Sequence, residues 1–237
     1  GLGDVYKRQA GRDKLYSVIA HDLRSPMGSI KMVLNMLMLN LPVEKIGAEM
    51  YELLTMANRT TEDVFSLLDN LLKWTKSQIG NLNVVYQDVD AVEVVDSVID
   101  VFNMVAGLKK ITIREEKPEK LPVCTDIDML KTIIRNLLSN AIKFSNENSE
   151  VLVKMEEQGD TVVVSVKDSG CGIDEEGQKK LLHTDTHFST FGTNNEEGSG
   201  LGLLLCQDFA VKIGGKLWFT SKEGEGSTFY FSIPLKK

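Results

Sequence analysis

The sequence predicts a multidomain chain: an all-α helical hairpin that pairs with a second copy into a dimeric four-helix bundle, followed by an α+β sandwich with a mixed sheet and helices on one face. Three features predict this. Apolar residues recur by threes and fours from Leu15 to Trp74, the spacing of one helix face. Beyond Gly80-Asn81-Leu82-Asn83 the period shifts to short alternating runs separated by amphipathic helices. The helical stripes of the first part are also too broad for two helices to cover each other.

Taken in order, the first helix runs from about Asp13 to Asn40, with Leu15, Val18, Ile19, Leu23, Ile30, Val33, Leu34 and Leu37 on its stripe. Asn40-Leu41-Pro42 breaks it, since proline stops one helix and can start the next. The second helix carries Leu53, Ala57, Val64, Leu67, Leu68, Leu71 and Trp74 and ends at Gly80. Met32, Met36 and Met38 widen the first stripe, and two hairpins packed as a bundle would bury it, which predicts a homodimer. The second domain opens with a strand over Val84–Val89, a helix from Asp90 to Ala106 and a strand at Ile111–Ile113. Asp126 then caps an apolar helix that ends at Phe144. Val151, Val153 and Met155, then Val162, Val164 and Val166, line the inner faces of two strands. A Gly/Asn-rich interval leads to a helix from Leu201 to Ile213 and two closing strands, Lys216–Ser221 and Ser227–Ile233. The expected domains are residues 1–82 and 83–237.

Composition narrows the function. The 237 residues are 42% hydrophobic, enough for real cores, and carry a net charge of −7 with the acidic excess beyond residue 80. A nucleic-acid binder would show a basic face, and none is present. No run of 18 apolar residues exists, so this fragment holds no membrane segment. Cys124, Cys171 and Cys206 form no C-x-x-C pair, which fits buried thiols in a reducing cytosol rather than a disulfide frame or a zinc site. Gly1–Gln9 reads as a non-native scar or a truncated lead-in from something upstream, and the rest as the C-terminal part of a longer protein, cytoplasmic or the cytoplasmic portion of a membrane-anchored sensor.

The chemistry-bearing stretches stand against plainer alternatives. His21 lies among the apolar positions of the first helix and is followed at once by Asp22. A neutral imidazole has one nitrogen free to attack, and a carboxylate can hold the other ring N–H and stabilise the developing charge. Pro26 lies five residues on and should bend the helix beside His21. Asn136, Asn140 and Lys143, spaced by four and three, fall on one side of a Leu/Ile-rich helix; an amide oxygen suits Mg²⁺ and a lysine suits phosphate. Without a partner motif they would be an ordinary solvated stripe. Asp168-Ser169-Gly170-Cys171-Gly172 ends a strand, and its glycines would let a flat base approach, although D-S-G is also common turn chemistry. Gly198-Ser199-Gly200-Leu201-Gly202 opens a helix whose N–H groups can cradle phosphate. It fits neither a Rossmann fingerprint nor a P-loop. His183 and His187 stand at a metal-like spacing with no third ligand, and read as ordinary loop histidines.

In their order these segments resemble the sensor histidine kinases of two-component signalling, from residue 13 to residue 234. His21–Pro26 is similar to the phospho-acceptor box, Asn136–Phe144 to the N box and Asp168–Gly172 to the first glycine box. Phe188–Gly192 is similar to a form of the F box, Gly198–Gly202 to the second glycine box and Gly224–Thr228 to the last. The resemblance implies a dimeric hairpin bearing the histidine and an ATP-binding sandwich shared with gyrase, heat-shock chaperone ATPases and mismatch-repair ATPases. It implies that Asn140 ligates Mg²⁺, that Asp168 binds the adenine amine and that Thr228 supports it through water. Asn136, Lys143, Gly170, Gly172, Gly198, Gly200, Leu201 and Gly202 complete the expected nucleotide contacts. The interval from Asp174 to Ser199 is expected to be a mobile lid, and it lacks an obvious second basic residue after Phe188. Asn136 stands where hydrolysing relatives carry a water-activating Glu, and an amide cannot be a general base.

The implied activity is autophosphorylation of His21 from ATP, with Asp22 orienting the imidazole, then transfer to an Asp on a response-regulator receiver domain. Ser25, one turn beyond His21, is the residue expected to serve dephosphorylation of that regulator by orienting water. The rivals are a hydrolysing ATPase of the same fold, disfavoured by Asn136, and a non-catalytic dimer scaffold.

Overall fold

A computed structural model describes residues 22–41, 43–78, 83–181 and 201–235. The chain divides into two compact units, with the boundary between Asn83 and Val84.

In the first unit, α1 (residues 22–40) continues through Pro26. His21, where the bend was expected, lies outside the described residues, as does the start of that helix. After Leu41 the single second helix of the sequence reading is instead two: α2 (Val43–Ile46) and α3 (Ala48–Gln78). Gly47 lies between them at φ 80°, left-handed backbone that glycine adopts without the Cβ penalty and that ends a helical run. The two long helices meet where Met27 packs on Leu68 and Leu72, with Val64 and Leu71 alongside. Arg24 pairs with Asp69 at 2.8 Å, and Lys73 reaches the same carboxylate at 2.9 Å. Arg24 and Lys31 both lie over the Phe65 ring. Much of the apolar surface stays open: Ile30, Met32, Val33, Met36 and Leu39 on α1, and Met50, Leu53 and Met56 on α3.

The second unit contains β1 (Gln87–Asp90), α4 (Ala91–Leu108), β2 (Thr112–Glu116), β3 (Pro122–Thr125), α5 (Ile127–Phe144), β4 (Glu150–Gln158), β5 (Thr161–Lys167), α6 (Glu175–Lys180), α7 (Leu201–Lys212), β6 (Leu217–Lys222) and β7 (Gly226–Pro234). Five strands form one sheet in the order β2-β4-β5-β7-β6, with β2 and β4 parallel and every other pair antiparallel. The remaining two differ from expectation. The Val84–Val89 strand shrinks to β1, which pairs antiparallel with β3 in a separate two-stranded sheet. β3 has no strand signal of its own in the sequence, because its four residues look like a lead-in to the Asp126 cap.

Alternation does the rest. Val151, Val153 and Met155 on β4, Val162, Val164 and Val166 on β5, and Phe229, Phe231 and Ile233 on β7 are all buried on the face that carries the helices. Against them pack Leu130, Ile133, Ile134, Leu137 and Leu138 of α5, with α4 on one side of it and α7 on the other. Asp126 caps α5 as expected. Its Oδ1 accepts the N–H groups of Asp128 and Met129, both at 3.0 Å, and Oδ2 accepts that of Val85 at 2.8 Å. Among the described residues no helix is long and apolar enough to cross a membrane.

Candidate functional site

The antiparallel pairing of β5 with β7 sets Lys167 opposite Thr228, so the loop leaving β5 at Asp168 runs beside the turn that enters β7. Asp168 is 4% exposed, a carboxylate placed almost out of water. Its Oδ1 accepts the N–H of Gly170 at 2.9 Å and of Ser227 at 3.2 Å, while its own N–H donates to Ser227 O at 2.9 Å. Burial pushes this carboxyl above its ordinary value, and the two N–H donors pull it back. Among the described residues both donors bind the same oxygen, which holds the orientation and leaves Oδ2 for a ligand's donor.

Around Asp168 the backbone approaches closely enough to exclude side chains. A Cβ on Gly170 would stand 2.1 Å from Phe144 O, at the end of α5. One on Gly172 would stand 2.0 Å from Lys222 O, and one on Gly226 would stand 2.2 Å from Asp168 O. Gly224 N–H closes the arrangement by donating to Cys171 O at 2.7 Å. Ser221 Oγ accepts the Ile173 N–H at 2.9 Å and lies 2.8 Å from Ser227 Oγ. The loop after β5 is thereby pinned to β6 and β7.

Helix α5 forms another wall. Asn136, Asn140 and Lys143 are all partly exposed, whereas Leu137, Leu138, Ala141 and Ile142 between them are buried. The expected one-sided stripe is therefore present. Asn136 Nδ2 donates to Thr132 O at 2.8 Å, which turns its Oδ1 toward α7; a Cβ on Gly202 would stand 2.6 Å from that oxygen. The Lys143 ammonium lies 5.0 Å from the centre of the Phe144 ring. Leu201 is buried at the start of α7. The structure thus brings the N box, the first glycine loop, the start of α7 and the β6–β7 turn to one end of the sheet. His21, Gly198, Gly200, His183, His187 and the Phe188–Gly192 segment lie outside the described residues. So does most of the expected lid, whose first part is α6, capped by Asp174 Oδ1 accepting the Gly177 N–H at 2.7 Å.

Thr228, expected to support the adenine contact through water, lies by strand alternation on the face shared with Thr220 and Tyr230. Counting by twos back from Phe229 puts Ser227 on the inner face with Phe229 and Phe231; its main-chain N–H meets Asp168, while its Oγ lies against Ser221 Oγ. In the first unit, Asp22 and Ser25 are exposed in the described part of α1, and the Ser25 carbonyl accepts Ser29 Oγ at 3.2 Å.

The site suits a nucleotide. The glycine contacts leave a floor without side chains, the buried carboxylate presents an oriented acceptor, and Asn140 offers a hard oxygen one turn from Asn136. This architecture defines a nucleotide-binding domain, and residues 125–237 match the family described as histidine kinase-, DNA gyrase B- and HSP90-like ATPase. Over 94% of its length the chain is 29% identical to the adaptive-response sensory kinase SasA of Crocosphaera subtropica, and over 96% it is 33% identical to the sensor protein KdpD of Clostridium acetobutylicum. It spans 59% of the first protein and 25% of the second. The catalytic domain of histidine kinase ThkA superposes with a TM-score of 0.56 at 31% identity, over 64% of this chain and 96% of that one. Full-length ShkA in complex with AMPPNP shares the fold, with a TM-score of 0.70 at 21% identity over 94% of this chain and 46% of that one. The chain belongs to the sensor histidine kinases.

Proposed function

We propose that the chain is the core of an ATP-dependent protein-histidine kinase that phosphorylates itself on His21. The phosphoryl group then passes to an Asp of a response-regulator receiver domain. The observation that carries the reading is the fixed Asp168 carboxylate: two backbone N–H groups take Oδ1, and Oδ2 is left to accept a hydrogen from the adenine amine. Residues 1–82 form the dimerisation and phospho-acceptor domain in this reading, and 83–237 the ATP-binding domain. Asn140 would hold Mg²⁺, which would supply charge neutralisation on the phosphates. Lys143 and the N–H groups at the start of α7 provide further positive potential there. A ring nitrogen of His21 displaces ADP from the γ-phosphorus while Asp22 holds the imidazole and balances its charge.

The open apolar residues of α1 and α3 support a homodimer, since pairing two hairpins would remove them from water. Asn136 disfavours hydrolysis because its amide cannot take a proton from water. The composition favours a cytoplasmic location with protein partners rather than nucleic acid. Purified chain incubated with Mg-ATP should acquire label that acid removes and alkali spares, because a P–N bond breaks when its nitrogen is protonated. His21→Gln should abolish the label with nucleotide affinity unchanged. Acid-stable label, or steady phosphate release without label, would overturn the assignment.

A further inference from the structure

We propose that Lys109 is a positioning residue for the nucleotide site, acting through the end of α5; the proposal rests on the nucleotide reading above. Lys109 follows the last residue of α4 and is only 8% exposed, unusual for a lysine. Its ammonium is not on the surface. It donates to Ile142 O at 3.0 Å and to Lys143 O at 2.8 Å.

The last carbonyls of a helix have no partner within it. At the end of α5, Ser145 N–H takes Ala141 O at 3.1 Å. Ile142 O and Lys143 O go to Lys109, whose positive charge also suits the negative end of the helix dipole. The next carbonyl, Phe144 O, is the one pressed against Gly170. Gly170 in turn gives its N–H to Asp168 Oδ1. A continuous set of contacts therefore runs from the buried ammonium, through the last turn of α5, to the acceptor that faces the adenine. The same turn carries Lys143, and Asn140 lies just before it. The side chain that sets these groups comes from a different helix, on the far side of α5 from α7.

Without Lys109, two carbonyls would be left unsatisfied in a buried setting, and the last turn would open toward other donors. Phe144 O would move, and Gly170 and Asp168 with it. The test uses the whole chain and three variants. Lys109→Met keeps the apolar stem and removes the donors; Lys109→Arg keeps a cation. Asp90→Ala removes the cap of α4, where Oδ1 accepts Val92 N–H and Leu121 N–H, both at 2.9 Å, and serves as a destabilised control outside this set of contacts. Hydrogen exchange at the Gly170 amide, read without nucleotide, should quicken in Lys109→Met by about tenfold more than in Asp90→Ala at equal thermal stability. The KM for ATP in autophosphorylation should rise by about tenfold, with Lys109→Arg restoring most of it. Equal Gly170 exchange in Lys109→Met and Asp90→Ala would reduce Lys109 to a simple stability cap and overturn the proposal. Loss of Gly170 protection in Lys109→Met, alongside a wild-type chain that does not bind ATP, would support the contact set and refute the nucleotide reading instead.

Discussion

Replacing Asp168 by Asn separates what this residue does for the ligand from what it does to the fold. The amide cannot flip freely, because Gly170 N–H at 2.9 Å and Ser227 N–H at 3.2 Å both demand an oxygen at the Oδ1 position. The NH₂ is therefore forced to the Oδ2 position, where it meets the adenine amine donor to donor. Losing a hydrogen bond to a charged acceptor and leaving a buried donor facing another should cost about 2–3 kcal/mol, or roughly 30- to 150-fold in Kd. Stability should move the other way. Burial raises the carboxyl above 3.8, so the folded chain binds the proton more tightly than the unfolded chain does. Stability falls as pH climbs from 3.8 through the folded value, and at pH 7 the whole cost is present. Asn carries no charge to bury, so its Tm at pH 7 should equal or exceed that of the wild type, with the gap closing as pH falls toward 3.8. Titration with a non-hydrolysable ATP analogue and thermal melts at several pH values read both quantities. Wild-type affinity, or a Tm loss in step with the affinity loss, would refute the assignment of Asp168 as an oriented acceptor.

Other perturbations test separate contacts. Gly202→Ala puts a Cβ 2.6 Å from Asn136 Oδ1, forcing the amide off Thr132 O; nucleotide affinity should drop by about tenfold while melts shift little, because alanine favours a helix by about 1 kcal/mol over glycine. Lys110 sits at φ 56°, and Lys110→Gly should stabilise the second unit by about 0.5–1 kcal/mol in urea titrations. Its exposed pair with Glu147, at 3.8 Å, is worth too little to reverse that sign. Ser25→Ala should slow dephosphorylation of a phosphorylated regulator and spare autophosphorylation; equal loss of both would mean that Ser25 only shapes the helix around His21.

Much of this protein was legible in its order of residues. Helical spacing announces α1 and α3, and alternation announces β4, β5 and β7, because one face of each must leave water and so repeats at the period of its backbone. The same logic placed Asn136, Asn140 and Lys143 on one side of α5 and put the Asp126 cap at its start. Gly170, Gly172 and Gly202 could be named from spacing, yet the sequence did not say what each glycine avoids. Phe144 O, Lys222 O and Asn136 Oδ1 become neighbours only when α5, β6 and α7 close around one end of the sheet.

The readings that failed share a cause. Helix and strand periods are local, but pairing and facing are set by contacts between residues far apart in the chain. β1 and β3 are four residues each, and they pair with each other across 32 to 38 positions instead of joining the main sheet. Ser227 and Thr228 are equally suitable hydroxyls in sequence; the register that sets Phe229 against Val166 decides which one shares the inner face of the sheet. Lys109 looks like any lysine at a helix end, and only the packing of α4 against α5 brings its ammonium to the carbonyls of Ile142 and Lys143. The residue types that could do the chemistry were therefore set by the sequence alone. Which of them meet was decided by tertiary packing, since a buried hydrogen bond holds only where both partners leave water together.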